Sequence, residues 1–166
     1  MTHAEMRVSR GSGQLPRHGS SGAPTTSGPG TSATRTVRLP FGRSAVPMAR
    51  TQVVTELKDL GVDSHVVEEA ESVVAELVGN AVRHASPLSD GTVRVRWQVR
   101  GGVVELDVTD GGGPTRPAPK PVTRYGSSGR GLRIVRSLAH EWGVVGGPPG
   151  NTVWASVGGP SRRRAT

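Results

Sequence analysis

Residues 63–110 read DSHVVEEAESVVAELVGNAVRHASPLSDGTVRVRWQVRGGVVELDVTD. In the first part of this run Val66, Ala70, Val73, Val74, Leu77, Val78, Ala81 and Ala85 recur three and four residues apart, the period of a helix with one apolar face. Asp63 or Ser64 stands where such a helix is capped, Glu68 and Glu69 lie near its positive end, and Ser86-Pro87 stops it. The period then changes to two. Val93–Val99 and Val104–Val108 alternate apolar and polar residues, joined through Arg100-Gly101-Gly102, which predicts an antiparallel hairpin with one wet face. Each of these elements has a single apolar face to bury, so a helix layer against a sheet satisfies both.

Working outward, Ser44–Leu60 is a second helical stretch: Ser44 can cap, Pro47 falls in the first turn, and Val46, Ala49, Val53, Val54, Leu57 and Leu60 repeat at helical spacing up to Gly61. Thr36-Val37-Arg38-Leu39-Pro40 reads as an opening edge strand closed by proline. Downstream of Asp110, glycines and prolines break the chain until Gly129, a loop of about 18 residues, long enough for a functional lid over 114–128. Leu132, Val135, Leu138 and Ala139 mark a third helix from about Gly131 to His140; Trp142–Val145 and Val153–Val157 mark a closing hairpin. The order βααββ, loop, αββ predicts an α+β two-layer sandwich, with a mixed, mostly antiparallel sheet of about five strands and three helices on one face.

The rest of the chain is different in kind. Of the 26 residues from Ser9 to Thr34, nineteen are Gly, Ser, Thr or Pro, a stretch that cannot offset its ordering entropy and is expected to be a disordered tail over 1–35. The domain is expected over 36–158, with a basic tail over 159–166. The net charge of +8 sits mostly in these tails: residues 1–36 and 162–164 carry +3 each, leaving +2 for the domain. With one Tyr and one Phe there is no stacking platform for single strands, so no specific nucleic-acid partner is expected, and the tails offer only salt-dependent binding to polyanions. The absence of cysteine excludes disulfides, thiolate metal sites and a cysteine nucleophile. No apolar run is long enough to span a bilayer and Met1–Ser20 is not a signal sequence, so a cytoplasmic protein without a membrane partner is expected.

Three segments carry candidate chemistry. On the long helix Glu76 and Asn80 stand about 40° apart on the flank of the apolar stripe, with Arg83 and His84 on the same ridge; alone, such a ridge is also what a solvated helix face looks like. Asp110-Gly111-Gly112-Gly113 ends a central strand in an acid able to accept a hydrogen bond from a base amine, beside glycines that admit a ligand or simply turn the chain. Gly129-Arg130-Gly131-Leu132 opens a helix whose free N–H groups suit phosphate oxygens, although it follows no strand and lacks the residues of a P-loop.

Together, ELVGNAVRH (76–84), DGGG (110–113) and GRGL (129–132) resemble the GHKL nucleotide-binding fold of gyrase-type topoisomerases, histidine kinases, large heat-shock chaperones and mismatch-repair ATPases. The small size, short lid and closing Gly150-Asn151-Thr152-Val153-Trp154 look most like the anti-sigma-factor serine/threonine kinases, over roughly Thr36 to Val157. The resemblance implies ATP and Mg²⁺ as cofactors. It implies that Glu76 is the catalytic base, that Asn80 ligates the metal, and that Asp110 receives the adenine amino group with Gly112 giving the base room and Thr152 supporting the acid. Gly129, Gly131 and Leu132 would wrap the triphosphate. The family's D-x-G-x-G pattern is broken here by Pro114, and Arg116, Lys120, Arg124 and Arg130 either offer a cation to the γ-phosphate or form a solvated basic loop.

The function so implied is an ATP-binding anti-sigma factor that phosphorylates an anti-sigma antagonist and sequesters a sigma factor, as a homodimer by family analogy. The alternative is a partner-binding regulator that uses ATP to set its shape without significant phosphotransfer. A histidine-kinase catalytic domain is disfavoured because no helix pair with a phosphoacceptor His precedes the motifs: His3 and His18 fall in the tail.

Overall fold

The computed structural model describes residues 32–113, 130–148 and 150–162. Among these, the elements are β1 (Ser32–Pro40), α1 (Ala45–Asp59), α2 (Ser64–His84), β2 (Thr92–Arg100), β3 (Val103–Asp110), α3 (Arg130–Leu138), β4 (Glu141–Gly147) and β5 (Gly150–Val157). The five strands make one sheet in the order β1-β2-β3-β5-β4, and every neighbouring pair is antiparallel. The expected α+β sandwich is thus observed, with a fully antiparallel sheet in place of a mixed one. The core lies between the layers: Leu39, Val93, Val95, Trp97, Leu106, Val108 and Ala155 from one sheet face meet Val53, Leu57, Val74, Leu77, Val78 and Val135 from the helices.

The long helix forms where its period predicts. Asp63 caps it by accepting the His65 backbone N–H at 2.9 Å. Its buried stripe is Val67, Ala70, Val73, Val74, Leu77, Val78 and Ala81, so the face is turned slightly from the sequence expectation, with Val66 and Ala85 left half-buried. Ser44 precedes α1 but does not cap it. Its backbone is already helical (φ −65°, ψ −21°), which holds the hydroxyl away from the next turn, and the Gly42 carbonyl takes the Ala45 N–H instead. The β2–β3 hairpin closes through Gly101 and Gly102, both at positive φ (57° and 77°), as a two-residue turn requires.

Three expectations are corrected at the edges of the domain. The first strand opens at Ser32, four residues before Thr36, because β2 runs out to Arg100 and offers ladder partners to residues with no apolar alternation of their own. The face of β3 expected to be wet is covered: Glu105, Asp107 and Thr109 are all buried. Arg94 lies across it to Thr109 Oγ1 at 3.3 Å, and Arg96 to Asp107 at 3.1 Å. Residues 159–162, expected to be tail, are the third covering: the Ser161 hydroxyl and the Arg162 N–H donate to one Glu105 oxygen at 2.5 and 2.7 Å, while the Ser161 N–H donates to Glu141 at 2.8 Å. These bonds are what make the burial of a carboxylate there tolerable. The predicted disorder of residues 1–31, the lid over 114–128 and the end of the basic tail lie outside the described residues. Among the described residues no helix is long and apolar enough to cross a membrane.

Candidate functional site

The site begins where α2 and β3 end side by side. After His84 the chain passes along the glycines that follow Asp110: Gly111 N–H donates to the Ser86 carbonyl and Ser86 N–H to the Gly112 carbonyl, each at 2.8 Å. This pair of bonds fixes the end of the helix against the end of the strand. The approach is so close that a Cβ on Gly111 would run into the Pro87 carbonyl, and one on Gly150 into the Asp110 carbonyl. Gly112 meets a different demand, a backbone at φ +85° that other residues rarely adopt.

Between these ends lies a cavity of about 290 Å³. Leu77 and Ala81 of α2 form one wall, Val108 and Val153 the floor, and Trp142 with Val144 of β4 the far side, while Leu132 closes in from α3. The Arg136 guanidinium lies 5.5 Å from the Trp142 ring centre and braces it. Asn80 and His84 contribute polar groups from the helix, Asp110 and Asn151 from the sheet. An apolar slot with polar groups gathered at its edges is the form a planar heterocycle with a few hydrogen-bonding atoms requires.

Asp110 is the most constrained of these groups. It is 6% exposed, and one carboxylate oxygen accepts the Gly112 N–H at 2.7 Å. Burial pushes its pKa above the ordinary 3.8, while the N–H donors of Gly112 and Asn151 pull in the opposite direction and only partly offset it. The carboxylate is thus held in place by its acceptor role and is short of solvation, so a donor arriving in the cavity would relieve its desolvation.

The structure brings Asn80, Asp110 and Leu132 to one cavity. Glu76 stands half-buried one helical turn before Asn80, outside the cavity lining, with no hydrogen-bond or ion-pair partner among the described residues. Gly112 borders the site through its N–H to Asp110, and Gly131 lies in the first turn of α3. Gly129, together with Pro114 and the lid cations Arg116, Lys120 and Arg124, lies outside the described residues. Thr152 is not brought to the cavity, and its expected support of Asp110 is corrected. In the β3–β5 register Asp110 pairs with Asn151, and Thr152 pairs with Thr109 on the opposite face, where the two hydroxyls meet at 2.7 Å. Asn151 takes the place beside the acid: its N–H favours the ionised carboxylate, and its side-chain nitrogen would lie 3.7 Å from a Cβ at Gly112. Trp142 and Val144 line the cavity without any signal in the sequence motifs, while Asn151, Val153 and the contact glycines Gly111 and Gly150 stood in the quoted motifs with no role assigned to them individually. The run Gly150–Trp154 pointed to the right strand, but only the register tells its two faces apart.

Among the described residues no cluster of three or more His, Asp or Glu side chains could cage a metal by itself. The donor set does fit Mg²⁺ carried in with phosphates, because that ion takes one or two protein oxygens and completes its shell with phosphate and water. Asn80 Oδ1, on the cavity wall, is such an oxygen.

No curated protein matches the chain significantly. Among solved structures, the chain is similar to the RsbU and RsbW domains of Rv1364c from Mycobacterium tuberculosis, at TM-score 0.58 and 22% identity, which shows a shared fold. That match covers 75% of this chain and 32% of the other, so the protein spans about a third of its neighbour's length. A profile of the histidine kinase-like ATPase domain matches residues 40–157, from the end of β1 to the end of β5, and so takes in α2, the acid at the end of β3 and the strand that pairs with it. The chain belongs to the histidine kinase-like ATPase domain family.

Proposed function

We propose that the protein is an ATP-binding anti-sigma regulator with serine/threonine kinase activity. The observation that carries this reading is the placement of Asp110 and Asn80 at the edges of one apolar cavity, an acceptor for a base amine on one side and an amide oxygen on the other. The adenine ring would lie between the aliphatic walls with its amino group on the Asp110 carboxylate, and Asn80 would hold magnesium beside the phosphates. When bound, that ion neutralises charge on the phosphate oxygens. Glu76, on the same flank of α2, takes the proton of a serine or threonine hydroxyl on the partner. The hydroxyl oxygen bonds to the γ-phosphorus as the bond from that phosphorus to the bridging oxygen breaks, and ADP leaves. By the family resemblance the phosphorylated partner is an anti-sigma antagonist and the sequestered one a sigma factor. Both meetings would take place in the cytoplasm, with the regulator as a homodimer.

Glu76→Gln tests the reading. It is expected to bind Mg·ATP within about twofold of wild type while losing about 10²-fold or more of the label transferred from γ-³²P-ATP to an antagonist protein, the scale of a missing general base. Transfer that survives the substitution would remove Glu76 from the mechanism. Wild-type protein that transfers nothing, yet holds a sigma factor differently with and without ATP, would instead establish the shape-setting regulator, a reading favoured by the position of Glu76 outside the cavity lining.

A further inference from the structure

The Asn80 oxygen is already engaged. Arg83, one turn further along α2, folds back and donates from Nη2 to Asn80 Oδ1 at 3.0 Å. Gly79 leaves room for this: the atoms nearest to a Cβ built there are Arg83 Nη1 at 3.2 Å and Nη2 at 3.4 Å. The guanidinium therefore lies over the helix backbone at Gly79, in tight contact with the point where a side chain there would begin. This costs something, since glycine inside a helix is about 1 kcal/mol worse than alanine, and the side chain that would stand nearest to an added methyl is Arg83.

Resting on the proposed function, we propose that Arg83 is a positioning residue that competes with magnesium for the Asn80 oxygen and so sets the magnesium concentration at which Mg·ATP is held. A permanently charged guanidinium bonded to that oxygen occupies one of its two acceptor directions and opposes a second cation on the other. Loading of the metal then requires Arg83 to leave the Gly79 platform. Without metal, the same bond keeps the amide turned with its oxygen toward Arg83 and its nitrogen away.

The experiment measures Mg·ATP binding at fixed ATP across a magnesium series for the full chain, Arg83→Ala and Gly79→Ala, with adenosine binding as a metal-independent control. Arg83→Ala frees the Asn80 oxygen outright, whereas Gly79→Ala keeps the charge and crowds the guanidinium in its seat by a few tenths of an ångström. Arg83→Ala is expected to lower the half-saturating magnesium concentration by about three- to tenfold, the scale of an exposed charge-assisted hydrogen bond, and Gly79→Ala to lower it by less, with adenosine affinity unchanged in both. A half-saturation point that rises or stays the same in Arg83→Ala would overturn the proposal. So would a Gly79→Ala that raises the half-saturation point, since a guanidinium pushed in its seat must compete for the oxygen less and not more. Failure of the wild type to bind ATP or adenosine at any magnesium concentration would instead refute the nucleotide site itself.

Discussion

Replacing Asp110 by Asn keeps the size of the side chain and changes only what it can accept. The retained oxygen can still take the Gly112 N–H, now at 2.7 Å from the carboxylate. The second position becomes an NH₂ group, a donor where in the complex an adenine amine needs an acceptor, and the favourable interaction of the acid with the Asn151 N–H is weakened. Two effects oppose each other in the free protein, because that interaction is weakened while the burial that raises the pKa of Asp110 no longer acts on a charge. Its stability is expected to change by less than about 1 kcal/mol. In the complex only the loss remains, a buried donor facing a donor, worth about 1–3 kcal/mol or roughly 5- to 150-fold in affinity. Calorimetric titration at fixed magnesium reads this directly, and inosine triphosphate sharpens it, since a base without the amine should be disfavoured by wild type and not by Asp110→Asn. Equal ATP affinity in the two proteins, or unchanged discrimination between the bases, would refute the assignment of Asp110 to the amine.

The same acid sets a pH dependence. Because its folded pKa lies above 3.8, the native state binds more protons than the unfolded one in the window just above that value, so this group makes stability fall as pH rises through the window. Adenosine binding needs the ionised acceptor and is expected to run the other way, weakening on acidification at a higher pH than an ordinary aspartate would give, with the effect absent in Asp110→Asn. Gly111→Ala drives a Cβ into the Pro87 carbonyl and should cost about 3 kcal/mol or more by denaturant titration; Gly112→Ala, strained at φ +85° but not crowded, should cost about 1–2 kcal/mol. Thr152→Val breaks the hydroxyl pair with Thr109 on the far face of the sheet, so it should lose about 1 kcal/mol of stability and leave ATP affinity unchanged. A drop in affinity would mean that the face assigned to Thr152 is wrong.

Read alone, the sequence determined the elements and most of the motif. Val67 to Ala81 and the two alternating runs specify a helix and a hairpin through period alone, and local chemistry ends them where it should, at Asp63, at Ser86-Pro87 and at Gly101-Gly102. Asn80 and Asp110 were legible because a residue's place on a helix flank or at a strand end follows from spacing. Tertiary structure decided what depends on pairing between distant segments. A strand has two faces, and only the register with β3 tells that Asn151, not Thr152, stands beside Asp110. The burial of Glu105 by residues 161 and 162, the seat of Arg83 on Gly79 and the contacts that require Gly111 and Gly150 are all meetings of backbone and side chain. Periodicity does not reveal them, because it reports which way a residue faces along its own element and carries no information about what another part of the chain brings to that face.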